Sequence, residues 1–63
     1  KAAYVQALIR AGFGETEAAL DDLDAALATG EFDLPYARIE PRLDPLRRHP
    51  RFQALLQKAA LDF

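Results

Sequence analysis

Residues 41–52 read PRLDPLRRHPRF. Prolines stand at positions 41, 45 and 50. Leu43, Leu46 and Phe52 are apolar anchors, with Arg42, Arg47, Arg48 and Arg51 among them. Proline fixes its own φ, lacks an N–H, and pushes the preceding residue out of the helical region. Three of them in twelve residues exclude a continuous helix, and the recurring anchors set the stretch apart from a disordered linker. The spacing predicts a tight turn, one short helical turn, another turn and a final helix. Such a segment is expected where a larger array ends, and it names neither a substrate nor a partner.

Outside this stretch, length is the first constraint. At 63 residues the chain is one domain at most, near the lower limit for a self-sufficient core. About half the residues are apolar, but thirteen are alanines, which bury little area each. Nineteen larger apolar side chains remain, so hydrophobic burial offsets chain entropy only narrowly. With no cysteine, neither a disulfide nor a thiolate metal site adds to it. Marginal stability is expected, to be relieved by neighbouring protein or by self-association.

Several residue types are missing. There is no Ser, Cys, Asn, Met or Trp, and one His. Serine and cysteine nucleophiles are therefore excluded, and no catalytic constellation is expected. The chain starts at Lys1, as expected of a fragment or processed product. No apolar run reaches the eighteen residues of a membrane span, and no signal-peptide pattern appears, so a cytoplasmic segment is expected. Arginine outnumbers lysine six to two and alanine is abundant, a bias of GC-rich bacterial coding.

The charge is unevenly divided. Residues 1–34 carry a net of −5 and residues 35–63 a net of +3, giving the overall −2. The two halves are expected to attract one another within one fold. Nucleic-acid binding by the basic half is disfavoured by the acidic pI and the lack of a long lysine/arginine stripe.

The helices follow from periodicity and breakers. Lys1 to Ala11 has no breaker, and Tyr4, Val5, Ala7, Leu8, Ile9 and Ala11 make an apolar stripe. Gly12-Phe13-Gly14 ends it, with Phe13 expected to fold back onto the core. A second helix runs from Glu15-Thr16 to about Ala28, with either residue as cap and acids near its N-terminus. Its buried face is Ala19, Leu20, Leu23, Ala26 and Leu27, and Gly30 terminates it. Asp33-Leu34-Pro35 starts a short helix on which Tyr36 and Ile39 share a side. Phe32 and Tyr36 are expected in the core. Asp44-Pro45 and His49-Pro50 repeat that start signal. The last helix, from Pro50 to about Leu61, presents Phe52, Leu55, Leu56, Ala59, Ala60 and Phe63 on one face. No segment alternates like a strand, so the fold class is all-α: a helical hairpin (1–30), a short helix and proline turns (31–49), and a capping helix (50–63).

Gly14, Ala19, Leu23 and Ala26, with Ala7 on the first helix, resemble the small–large–small spacing of a tetratricopeptide (TPR) repeat. Arg10 departs from it, standing where an aromatic or large apolar residue is usual, and Gln6 occupies a normally apolar position. Glu40-Pro41, Leu43-Asp44-Pro45-Leu46-Arg47, Pro50-Arg51-Phe52 and Leu55-Leu56 resemble the ending of TPR-like regions in bacterial cyclase, kinase and winged-helix signalling proteins. There an acid is usual where this chain has His49. The resemblance implies a non-enzymatic protein–protein interaction or regulatory segment, the terminal hairpin and cap of a TPR-like array. Its partner would be another protein or a neighbouring domain, with no cofactor, metal or membrane.

The alternative is a small helical self-association module forming a homodimer. Candidate partner-binding residues are Arg47, Arg48, Arg51 and Tyr36. Against that, Arg47 or Arg51 would pair with Asp44 or with the acidic helix and lock the turn. Leu46, Phe52, Leu55 and Leu56 are the expected structural anchors. Asp21, Asp22 and Asp24 are expected to form a solvated acidic face, and His49 to act as a helix cap rather than a catalytic base.

Overall fold

Two left-handed glycines fix the hairpin. In the computed structural model, which describes residues 2–61, Gly14 has φ +79° and Gly30 φ +77°. Each closes a helix in a Schellman turn. Glu15 N–H donates to the Arg10 carbonyl at 2.9 Å and Gly14 N–H to the Ala11 carbonyl at 3.1 Å. Glu31 N–H to Ala26 (2.7 Å) and Gly30 N–H to Leu27 (3.2 Å) repeat the pattern. Carbonyls left over at each helix end are thereby satisfied, at a backbone angle that costs glycine little.

The resulting elements are α1 (Ala2–Gly12), α2 (Thr16–Ala28), α3 (Leu34–Ile39), a 3-10 helix (Pro41–Leu46) and α4 (Pro50–Leu61). The described residues contain no strand, so the chain is all-helical. No helix among them is long and apolar enough to cross a membrane. The beginning of the expected first helix at Lys1 and the Phe63 position of the last face lie outside the described residues.

α1 packs against α2 and against the 3-10 helix, while α4 packs against α2 and α3. Phe52, Leu20, Leu23, Leu43 and Leu46 are the largest fully buried side chains. Ala7, Ala19, Ala26 and Ala37 are buried with no exposed surface. Methyl groups at these positions allow the helices to approach closely. Tyr4, Leu27, Phe32 and Leu56 pack against this core from its margin. Tyr4 and Phe32 meet edge-to-face, with centroids 6.3 Å apart and planes at 82°.

Several positions differ from the sequence-based expectation. Phe13 does not fold back: it is 76% exposed. It occupies the residue before the left-handed Gly14, on the side of α1 opposite Ala7, Leu8 and Ala11. Val5 and Ile9, four and eight residues earlier, share that outer side and are 51% and 52% exposed. The apolar stripe of α1 is therefore two faces, of which one is buried. Tyr36 is not core either, because α3 buries Leu34 and Ala37 and turns Tyr36 and Ile39 outward. Ala60 is exposed, lying beside the narrow Phe52–Leu55–Ala59 strip that α4 buries.

The caps differ as well. Glu15 makes no side-chain cap to α2, since its backbone closes the Schellman turn, and Thr16 is already helical. Asp44-Pro45 does not start a helix. Both lie inside the 3-10 helix, whose cap is Glu40, accepting from Arg42 N–H at 3.0 Å. Pro41 takes the first position, where a missing N–H costs nothing, and Pro45 lies inside the same helix. Asp33 does cap α3, through Tyr36 N–H at 3.4 Å, with Pro35 in the first turn.

Phe52→Ala should lower unfolding free energy by about 3–5 kcal/mol, measured by urea denaturation, because a buried ring with no exposed surface is removed. The buried Tyr4 hydroxyl finds no hydrogen-bond partner among the described residues. Tyr4→Phe should therefore leave thermal stability unchanged or raise it by up to about 1 kcal/mol; a loss beyond that would show that the hydroxyl is satisfied.

Candidate interaction surface

The arginines of the proline stretch fall into two groups. Arg47 lies half-buried beneath the end of α3. Its guanidinium donates to the Ala37 carbonyl (2.9 Å), the Glu40 carbonyl (2.8 Å) and Asp44 Oδ1 (2.8 Å). Two of these acceptors are carbonyls at the C-terminal end of a helix, where cations are favoured. The same guanidinium carbon sits 5.8 Å from the Phe52 ring centroid, so the charge also covers the main core plug.

Arg51 reaches the other way, to α2. It donates to Glu17 Oε1 (2.8 Å), Asp21 Oδ1 (3.0 Å) and Asp24 Oδ2 (2.7 Å). These acids recur at i, i+4 and i+7 and so share one side of α2. The carboxylates of Asp24, Asp21 and Glu17, in that order, raise the guanidinium's pKa further above its ordinary value. In return Arg51, assisted by His49, holds the Glu17 carboxyl below the usual carboxylate value against a smaller opposing effect of desolvation.

His49 completes the junction. Its Nδ1 accepts from Arg51 N–H at 3.1 Å, which caps the first turn of α4. That contact assigns the ring proton to Nε2, which faces Glu17 Oε2 at 3.1 Å. The ring has no free nitrogen, in keeping with a cap.

Arg42 forms a bidentate pair with Glu40, through Nε and Nη2 at 3.0 Å each. That pair, with the Arg42 backbone N–H, brings the Glu40 carboxyl down to about 2. Arg10 meets Asp22 at 3.4 Å.

Of the four candidate partner-binding residues, Arg47 and Arg51 are thus engaged inside the fold. Arg48 and Tyr36 are exposed, and Arg48 has no side-chain partner among the described residues. Of the expected anchors, Leu46, Phe52 and Leu55 are buried and Leu56 lies at the core margin. Glu17 was not among the candidates. Its position in the i, i+4, i+7 acid row was the available signal, but its partners lie 32 and 34 residues away.

A surface not singled out from sequence is the outer face of α1. Ala2, Val5, Gln6, Ile9, Gly12 and Phe13 are exposed along it. Arg10 is the one charged residue described in α1, and it turns aside to Asp22. α1 thus carries apolar residues on two sides, one buried in the core and one exposed. No group of three or more His, Cys, Asp or Glu side chains suited to a metal occurs among the described residues. The shallow cleft along Gly30–Pro35 is a loop feature with no convergent chemistry.

Arg51→Gln should release three carboxylates, lower the urea midpoint and weaken its dependence on salt. The lowered Glu17 pKa stabilises the fold above its ordinary value of 4.5 and is lost as pH falls through the lowered value. Acid titration of the native chain should therefore show a loss of stability below about pH 4.5, and Arg51→Gln should flatten that part of the curve. An unchanged acid limb in the variant would mean that the clamp does not form in solution.

Comparison with known proteins finds no matching family model, no matching curated protein and no matching solved structure.

Proposed function

We propose that this chain is a non-enzymatic protein-interaction segment, the terminal hairpin and cap of a TPR-like helical array. The observation that carries the proposal is an asymmetry. At one end, α4 lies over α2 and α3 and turns Gln53, Gln57 and Lys58 outward. At the other, α1 presents the uncharged row Val5, Ile9 and Phe13. A unit whose last helix turns Gln53, Gln57 and Lys58 to solvent on one side, with an apolar row on the other, suits the last position of a stack, where each repeat buries its face on its neighbour. The small residues Ala7, Ala19 and Ala26 at the hairpin interface support the same assignment, as does the proline-fixed approach of α4. In this role the surface works by holding another helical element. Arg47 and Arg51 act as braces, and nucleic-acid binding through the basic half is correspondingly disfavoured.

The test is a graft. The chain would be joined to the C-terminus of a consensus TPR array whose own solvating helix has been removed. The expected result is a soluble, monomeric fusion that unfolds in one cooperative transition, followed by circular dichroism. Aggregation like that of the uncapped array, or separate melting of the grafted part, would refute the assignment.

A further inference from the structure

No described residue covers the face that would stack in an array. We propose that it pairs with a second copy, α1 against α1, across a two-fold axis near Ile9. The inference rests on reading the outer face of α1 as a helix-receiving surface, and it adds a definite occupant.

Charge selects this face over the others. In a two-fold contact each patch meets itself, so a patch of one sign meets its own charge. The outer side of α2 carries Glu17, Asp21 and Asp24, with Arg51 as the one guanidinium shared among them. The exposed pair Tyr36 and Ile39 on α3 is flanked by Arg38, which has no side-chain partner among the described residues. Leu61, near the end of α4, is exposed with the charged Lys58 one turn before it. Among the described residues, the row Ala2, Val5, Gln6, Ile9 and Phe13 joins several apolar groups without a charge.

Area sets the strength. Val5, Ile9 and Phe13 together expose roughly 350 Å² per copy, within the range of patches that carry function on small monomers. With Ala2, Gln6 and Gly12 covered as well, two copies would bury about 1,000 Å², the lower edge for a specific interface. A contact of that size belongs with weak, transient interfaces, so the expected dimer is a weak one. Ile9 lies midway between Val5 and Phe13, so symmetric pairing brings the two Ile9 side chains together at the centre.

Sedimentation equilibrium on the 63-residue chain, from about 10 µM to 1 mM, tests this. The expected result is a reversible monomer–dimer equilibrium. Ile9→Glu should weaken it at least tenfold, since two carboxylates would meet near the axis, and Phe13→Glu should act in the same direction. Both positions are exposed, so circular dichroism should show unchanged helix content. Tyr36→Glu and Leu61→Glu should leave the equilibrium unaltered. A monomer at every concentration would overturn the proposal, as would a dimer that survives both α1 variants or is broken by the α3 or α4 variant. If the graft caps the array while the isolated chain stays monomeric, self-pairing alone falls. If the chain dimerises through α1 but the graft fails, the array assignment falls.

Discussion

The junction between α4 and the rest of the molecule turns on Phe52. Its ring is fully buried, and the residues on either side of it in space, Arg47 and Arg51, make the polar contacts of the junction. The Arg47 guanidinium carbon lies over the ring at 5.8 Å from its centroid, and its nitrogens reach the end of α3. Arg51, one residue before Phe52, grips the side of α2. Pro50 and His49 set the direction in which the helix leaves. Removing the ring would therefore do more than open a cavity, because it would uncouple two guanidinium groups from the positions at which their acceptors wait. Directional contacts here follow from a non-directional one: burial puts the arginines in range, and hydrogen bonds then fix the angle.

Much of the helical pattern was legible in the sequence because single residues carry it. Gly14 and Gly30 mark left-handed turns, Pro35 and Pro50 open helices, and Phe52, Leu55 and Ala59 keep helical spacing. Other features were not, for identifiable physical reasons. Asp44-Pro45 is chemically a start signal, yet Glu40 already caps that segment, and two adjacent signals compete for one helix. In α1, periodicity identifies apolar residues but cannot rank two apolar faces, so Phe13 and Val5 look like core residues. Tyr36 and Ile39 share a side of α3 as their spacing indicates, but spacing does not say which side meets solvent. Glu17 meets His49 and Arg51 across more than thirty residues, a pairing no local pattern encodes.

The division of charge between the halves is used selectively. Contacts between them run through Glu17, Asp21 and Asp24 on one side and His49 and Arg51 on the other. Other pairs stay within one half: Arg10 with Asp22 across the hairpin, Glu40 with Arg42, and Asp44 with Arg47. All these groups are at least partly solvated, so each pair adds modestly to stability, and their greater effect is on the angle at which α4 lies.

The fully buried alanines have a consequence for how this chain can vary. Leucine in a core exchanges with isoleucine or methionine at modest cost, because neighbouring rotamers adjust to a similar volume. Ala7, Ala19, Ala26 and Ala37 have no such latitude. A larger side chain would force apart helix axes that are also fixed by short glycine turns, and glycine would loosen the helix itself. In this small molecule the least bulky side chains occupy the least replaceable positions, and drift in sequence should be freer at the leucines than at the methyl groups between them.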